Sequence, residues 1–253
     1  MITSLLHSSV FTIGYLSASW LISKNRPKSL EDKYVKEWDN TLTSFIHSFV
    51  SSVMFCLVIY NDYITPSFLF VQHPNQQILF DSSFLLQITL THTIGYMQCD
   101  LIMFIINGWY KTSRKAMTIH HILVILCFSL AAYMNIYYPI LVLTLIAELN
   151  SIFMHSRKLC GLINRRDSII YSISAFFLIV SYIPCRVIAH SWITYQVFML
   201  SSSFLASYHY YIAFNGMLII SCLNILFLYQ FLALTDVLQK AIGLFSTKSK
   251  LPK

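Results

Sequence analysis

The chain has 253 residues, of which 57% are hydrophobic and only 11% charged, with a mean hydropathy of +0.64. Soluble domains carry about 25% charged residues, so this composition excludes a water-soluble globular protein, and six Gly and six Pro leave little material for disordered linkers. The net charge of +7 would suit nucleic acid only if the cations shared one soluble face. Their placement along the chain excludes that partner.

A membrane-spanning helix needs about 20 mostly apolar residues. Seven stretches are predicted to span: 2–22, 39–60, 83–107, 117–136, 138–156, 168–190 and 209–236. The first reads as a retained signal anchor, because its charges follow the apolar run, whereas a cleaved signal peptide begins with them. Lys24, Arg26, Lys28, Lys33 and Lys36 fill the first gap, and the gap 61–82 has no Lys or Arg. Lys111, Arg114 and Lys115 fill the third, and the tight turn Asn135–Tyr138 again has none. Arg157, Lys158, Arg165 and Arg166 fill the fifth, the segment 191–208 has none, and Lys240, Lys248, Lys250 and Lys253 close the chain. This alternation predicts a luminal N-terminus and a cytosolic C-terminus. The apolar segment Trp192–Ser207 is expected as a luminal loop or re-entrant piece, since an eighth span would put the basic tail on the wrong side. Arg186 is the one cation inside a span; its place near the luminal end predicts snorkelling, with Pro184 kinking the helix just before it. The expected organisation is an N-terminal helix and basic cytosolic loop (1–36), a six-helix membrane domain (37–236) and a basic cytosolic tail (237–253). Six scattered cysteines, with no CxxC, are expected as buried free thiols.

Function is sought where polarity is expensive: a charge at the centre of a spanning helix costs about 2.5–3.5 kcal/mol. His120 and His121 start about five residues after Lys115, roughly 8 Å inside the boundary; Asp100, Glu148 and His47 lie about 13–17 Å from a cytosolic charge. His92, Tyr96 and Asp100 recur at i+4 and form one stripe. Glu148, Ser151 and His155 form a second, Ser44, His47, Ser48 and Ser51 a third, and Asn224 adds an amide on the last helix. Three stripes that avoid lipid predict an all-α bundle around a polar chamber open to the cytosol. His7, His73, His190 and His209, near helix ends, are expected to pack or sit at the interface.

An imidazole in such a chamber can take a proton from an attacking amine or hydroxyl, or accept an acyl group itself, with a carboxylate fixing its tautomer. The candidate catalytic residues are therefore His120, His121, Asp100 and Glu148. Those expected to bind substrate are His47, Tyr96, Ser151, His155, Asn224 and Arg186. Adjacent histidines on a helix point about 100° apart and no HxxxH occurs, so no metal or other cofactor is expected; an intramembrane zinc hydrolase stands as the third alternative.

Glu37-Trp38-Asp39-Asn40 leading to His47, Gly95-Tyr96 with Asp100, His120-His121, Leu145-Ile146-Ala147-Glu148-Leu149 with Ser151, and Arg186, taken in order, resemble the TLC domain. That domain is shared by translocating-chain-associated membrane protein, ceramide synthases and the ceroid-lipofuscinosis membrane protein. The resemblance covers about Glu37–Leu234 and implies a six-helix bundle after one extra helix, usually in the endoplasmic reticulum. In ceramide synthases the double His is implicated in moving an acyl group from acyl-CoA to a sphingoid base, which points to His120 and His121. The second acidic position of the synthase signature is Ser151 here, and the homeobox-like insertion is missing. The chain is most similar to the small TLC domain-containing proteins, which are linked with lipid homeostasis. The resemblance thus implies membrane lipids, and acyl-CoA as a substrate, as partners. The alternative from another class is a non-catalytic lipid or cargo binder.

Overall fold

The computed structural model describes residues 2–64, 83–111, 114–204 and 208–234, and every element among them is helical. In chain order these are α1 (Ile2–Lys24), α2 (Val35–Val58, running on into a π-helical turn Ile59–Ile64), α3 (Phe84–Ile106), α4 (Lys115–Met134) and α5 (Tyr138–Thr144). Then follow α6 (Ile146–Leu162), α7 (Ile169–Tyr182), a π-helical segment Ile183–Ile188, α8 (Ala189–Phe204) and α9 (Tyr208–Leu234). Most of the loop 61–82, with His73, and the tail 237–253, with its four lysines, lie outside the described residues.

Among the described residues five helical stretches are long and apolar enough to cross a membrane: 32–61, 115–134, 138–162, 169–199 and 208–230. α3 has comparable length, but Gln87, His92, Gln98 and Asp100 lower its hydropathy. Large apolar side chains cover the outside of the bundle, among them Ile13, Phe49, Ile106, Leu126, Phe176 and Ile225. In water such a surface would aggregate; against lipid it carries no cost.

α1 packs along α3, α2 packs between α3 and α6, and α7 packs on α6. Gly95 is what lets α1 and α3 meet: a Cβ there would stand 2.5 Å from Phe11 Cβ and 2.7 Å from the Ser8 carbonyl oxygen. One apolar core lies between α1, α2, α3, α4 and α5, with Leu86, Leu90, Val58, Tyr138 and Val142 fully buried. The predicted turn between α4 and α5 is built by Asn135 and Tyr137, both in the left-handed region, with the Ile136 N–H donating to Ala131 O.

Two expectations are corrected here. Trp192–Phe204 is helix, not loop: α7, the π segment and α8 form one continuous rod, of which Ile169–Met199 alone covers 31 residues. That span is about 46 Å at 1.5 Å per residue, well beyond the roughly 30 Å of a hydrocarbon core. Proline removes an amide donor and crowds the preceding turn, and the π-helical geometry from Ile183 to Ile188 absorbs that fault without ending the helix. The predicted span 138–156 lies within the helical stretch 138–162, in which Leu145 alone marks the passage from α5 to α6. The thiols also divide: Cys99 is buried, Cys56 and Cys222 are exposed on the outer face, and all six are free.

Candidate functional site

Three of the basic gaps identified in the sequence meet at one end of the bundle. Arg26, in the loop after α1, makes a two-pronged ion pair with Asp39 near the start of α2. Two residues earlier, Glu37 Oε1 accepts from Arg114 Nη2 at 2.9 Å and lies 2.7 Å from Lys158 Nζ, joining α2 to the start of α4 and the end of α6. The Arg114 guanidinium also lies 4.0 Å over the Trp109 ring.

Behind this charged end a cavity of about 540 Å³ runs into the bundle. That is within the roughly 300–1,000 Å³ typical of ligand pockets. Its walls change character along its length. Arg114, Lys158, Asp100, His121, Glu148 and Arg186 belong to the polar part, while Ile136, Ile140, Val197, Ile212 and Met217 close the apolar part near the α4–α5 turn. Every residue named from the sequence as catalytic or substrate-binding lines it: His47, Tyr96, Asp100, His120, His121, Glu148, Ser151, His155, Arg186 and Asn224. So do His190 and His209, which the sequence suggested only as packing or interfacial residues.

On α4, His121 is buried with its Nδ1 3.3 Å from Asp100 Oδ2 on α3, but off the line of a hydrogen bond. His121 packs on Phe104, whereas its neighbour His120 turns toward Phe227 on α9. The two Nδ1 atoms are buried without hydrogen-bond partners. Across the cavity, Glu148 Oε2 accepts from Ser48 Oγ at 2.6 Å, tying α6 to α2.

A second layer supports this wall. The His47 ring stacks on Tyr96 with centroids 3.7 Å apart and on His92 at 5.2 Å. His92 Nε2 pairs in turn with the Tyr15 hydroxyl of α1 at 2.5 Å. His92, placed by spacing on the Tyr96–Asp100 stripe, therefore stands behind the wall and binds α1. Ser51, from the α2 stripe, contacts the His47 ring nitrogens at 3.3 and 3.4 Å.

The snorkelling expected of Arg186 is not what the fold does. Because the helix continues well past residue 190, Arg186 falls near the middle of the span and reaches inward. Its Nε donates to Asn150 Oδ1 at 2.9 Å, Nη2 to Ser151 Oγ at 2.7 Å and Nη1 to Asn224 Oδ1 at 3.2 Å. Asn150, fully buried, donates to Leu178 O and Ser181 Oγ and locks α6 to α7. Asn224 donates to Arg186 O, and its own carbonyl accepts from the Tyr182 hydroxyl. Sequence reasoning missed Asn150, Arg114 and Lys158 as parts of the site, and met Glu37 only in the motif that leads to His47. An amide two residues after Glu148 was the available signal for Asn150; Arg114 and Lys158 were indistinguishable from topological charges.

Among the described residues no group of three or more His, Cys, Asp or Glu is arranged to hold a metal ion. The zinc-hydrolase alternative has no ligand set there.

Residues 37–233 match the TLC-domain family. TLC domain-containing protein 2 of Danio rerio is 26% identical over 77% of this chain and 74% of its own length. The mouse (Mus musculus) protein of the same name is 26% identical over 66% of this chain and 50% of its own. TLC domain-containing protein 1 of Homo sapiens is 22% identical over 62% of this chain and 60% of its own. The polar constellation and these matches lead to one conclusion: the chain belongs to the TLC-domain family, with the small TLC domain-containing proteins and not with the ceramide synthases.

Proposed function

We propose that this multi-pass membrane protein acts in lipid homeostasis, in the endoplasmic reticulum, by binding an acyl lipid or acyl-CoA in the intramembrane cavity and transferring its acyl chain. One observation carries this reading: a cavity with a charged end, a histidine–carboxylate centre and an apolar far end suits an amphiphile whose head stays in the polar part. The basic gaps favour the cytosolic side for the charged end. Arg114 and Lys158 offer charge to the phosphates of CoA or of a lipid head.

In the transfer, His121 or His120 attacks the acyl carbonyl and the bond to the leaving group breaks, with the electron pair departing on that group. An acceptor hydroxyl or amine then takes the acyl group from the imidazole, and its proton passes to the freed ring nitrogen. Asp100 and Glu148 stabilise the cationic imidazole stage. Mass spectrometry of the protein purified with its native lipids tests the reading. An acyl adduct on His120 or His121 supports transfer, and preparations free of any acyl lipid refute the binding reading.

The offset between Asp100 and His121 favours a second reading, that of a lipid binder without turnover. There an intact lipid copurifies, and the double variant His120→Ala/His121→Ala weakens its retention without changing cellular lipid composition.

A further inference from the structure

Arg186 is a guanidinium near mid-span with no counter-charge in contact. Among the described residues no carboxylate lies within the 4.0 Å of an ion pair; its hydrogen-bond partners are the neutral oxygens of Asn150, Ser151 and Asn224, and the Tyr182 ring lies 5.7 Å from the guanidinium. The other two cations on the cavity wall, Arg114 and Lys158, already share Glu37. Asp100 faces His121 at 3.3 Å, and Glu148 accepts from Ser48.

A guanidinium has five N–H donors in a planar fork. Three are used, which leaves one N–H on each of Nη1 and Nη2, the two nitrogens that grip a carboxylate or phosphate side by side. Three residues from α6 and α9 hold this fork rigidly, so ordering it for a ligand costs little further entropy. Keeping a charge at this depth is expensive. Neutral acceptors repay part of that cost, and an anion would repay the rest. On the same cavity wall the Nδ1 of His120 is buried and unpartnered, and toward the α4–α5 turn the lining becomes apolar.

From this geometry we propose that Arg186 is an anion-binding subsite within the cavity and that the ligand is a single-chain amphiphile with a compact anionic head, a carboxylate or a phosphate monoester. The head docks on the free side of the guanidinium and the chain fills the region around Val197, Ile212 and Met217. The inference rests on the lipid-binding reading and adds to it the charge of the ligand and the residue that reads it.

The test is competition on the full-length protein in neutral-lipid nanodiscs, with radiolabelled palmitate as probe and palmitate, lysophosphatidate, hexadecanol and lysophosphatidylcholine as competitors. Palmitate or lysophosphatidate is expected to displace the probe at least about tenfold better than hexadecanol, the size of a charge-assisted contact. A preference for palmitate identifies a carboxylate as the source of the anion, and a preference for lysophosphatidate a phosphate. Arg186→Gln is expected to abolish the preference for the anions over hexadecanol, with Arg186→Lys retaining part of it. Competition in the unsubstituted protein decides the point even where Arg186→Gln does not fold. Equal displacement by hexadecanol and both anions overturns the inference while the lipid-binding reading stands. Failure of every amphiphile to bind overturns both.

Discussion

The contact between α1 and α3 makes a quantitative prediction at Gly95. An alanine Cβ would lie 2.5 Å from Phe11 Cβ, 2.7 Å from Ser8 O and 2.9 Å from Thr12 N. Two of these three atoms are backbone, so no side-chain rotation relieves the overlap. Carbon atoms separate comfortably at about 3.5–4.0 Å, so α1 must retreat by about 1 Å. Overpacking of this kind costs about 1–3 kcal/mol. At about 2–4 °C per kcal/mol for a chain of this size, Gly95→Ala should lower the melting temperature by roughly 2–12 °C. The retreat also strains the Thr12–Gln98 and Tyr15–His92 hydrogen bonds that cross the same interface. Gly14 on α1 provides the control, because a Cβ there meets nothing within 4 Å; Gly14→Ala should be neutral or stabilise the helix by up to about 1 kcal/mol. The assay is thermal unfolding of detergent-solubilised protein followed by size-exclusion recovery. Equal melting of Gly95→Ala and Gly14→Ala would refute the close approach of the two helices.

Tyr15→Phe should destabilise the protein by about 1–3 kcal/mol in the same assay, since it leaves buried His92 without a partner at Nε2; unchanged melting would show that α1 does not support the His47 wall. Asn150→Leu should be more severe, about 3–5 kcal/mol, because it strands the Arg186 guanidinium and removes the tie to Leu178 and Ser181. Asn150→Asp supplies Arg186 with an internal counter-ion but loses the two donations to Leu178 and Ser181, so palmitate retention should fall about tenfold and stability by about 1–3 kcal/mol. Glu37→Gln, at a part-exposed ion cluster, should cost no more than about 1 kcal/mol, and the difference should shrink in high salt, as melting at two ionic strengths will show.

Much of this protein is written in one dimension. The cost of placing charge in hydrocarbon is paid residue by residue, so the positions of Lys and Arg marked the helix gaps, and the rare Asp100, Glu148 and His120-His121 marked the cavity wall, before any packing was known. The i+4 recurrence put Tyr96 and Asp100 on one face, and Glu148, Ser151 and His155 on another, because helix geometry fixes that relation locally. Tertiary structure decided what depends on neighbours. Whether Trp192–Phe204 is loop or helix turns on a π-helical accommodation of Pro184, which apolar composition does not encode. Arg186 looked like a snorkelling end residue until the length of that helix put it near mid-span, and its role as a fixed fork depends on Asn150, Ser151 and Asn224 from two other helices. His92 shared a stripe with Asp100 yet binds Tyr15, because a helix face is wide enough for one residue to look into the cavity and another, two turns away, toward a neighbouring helix. Composition and spacing set which residues must avoid lipid; only the packing of α1 to α9 decided which of them meet one another.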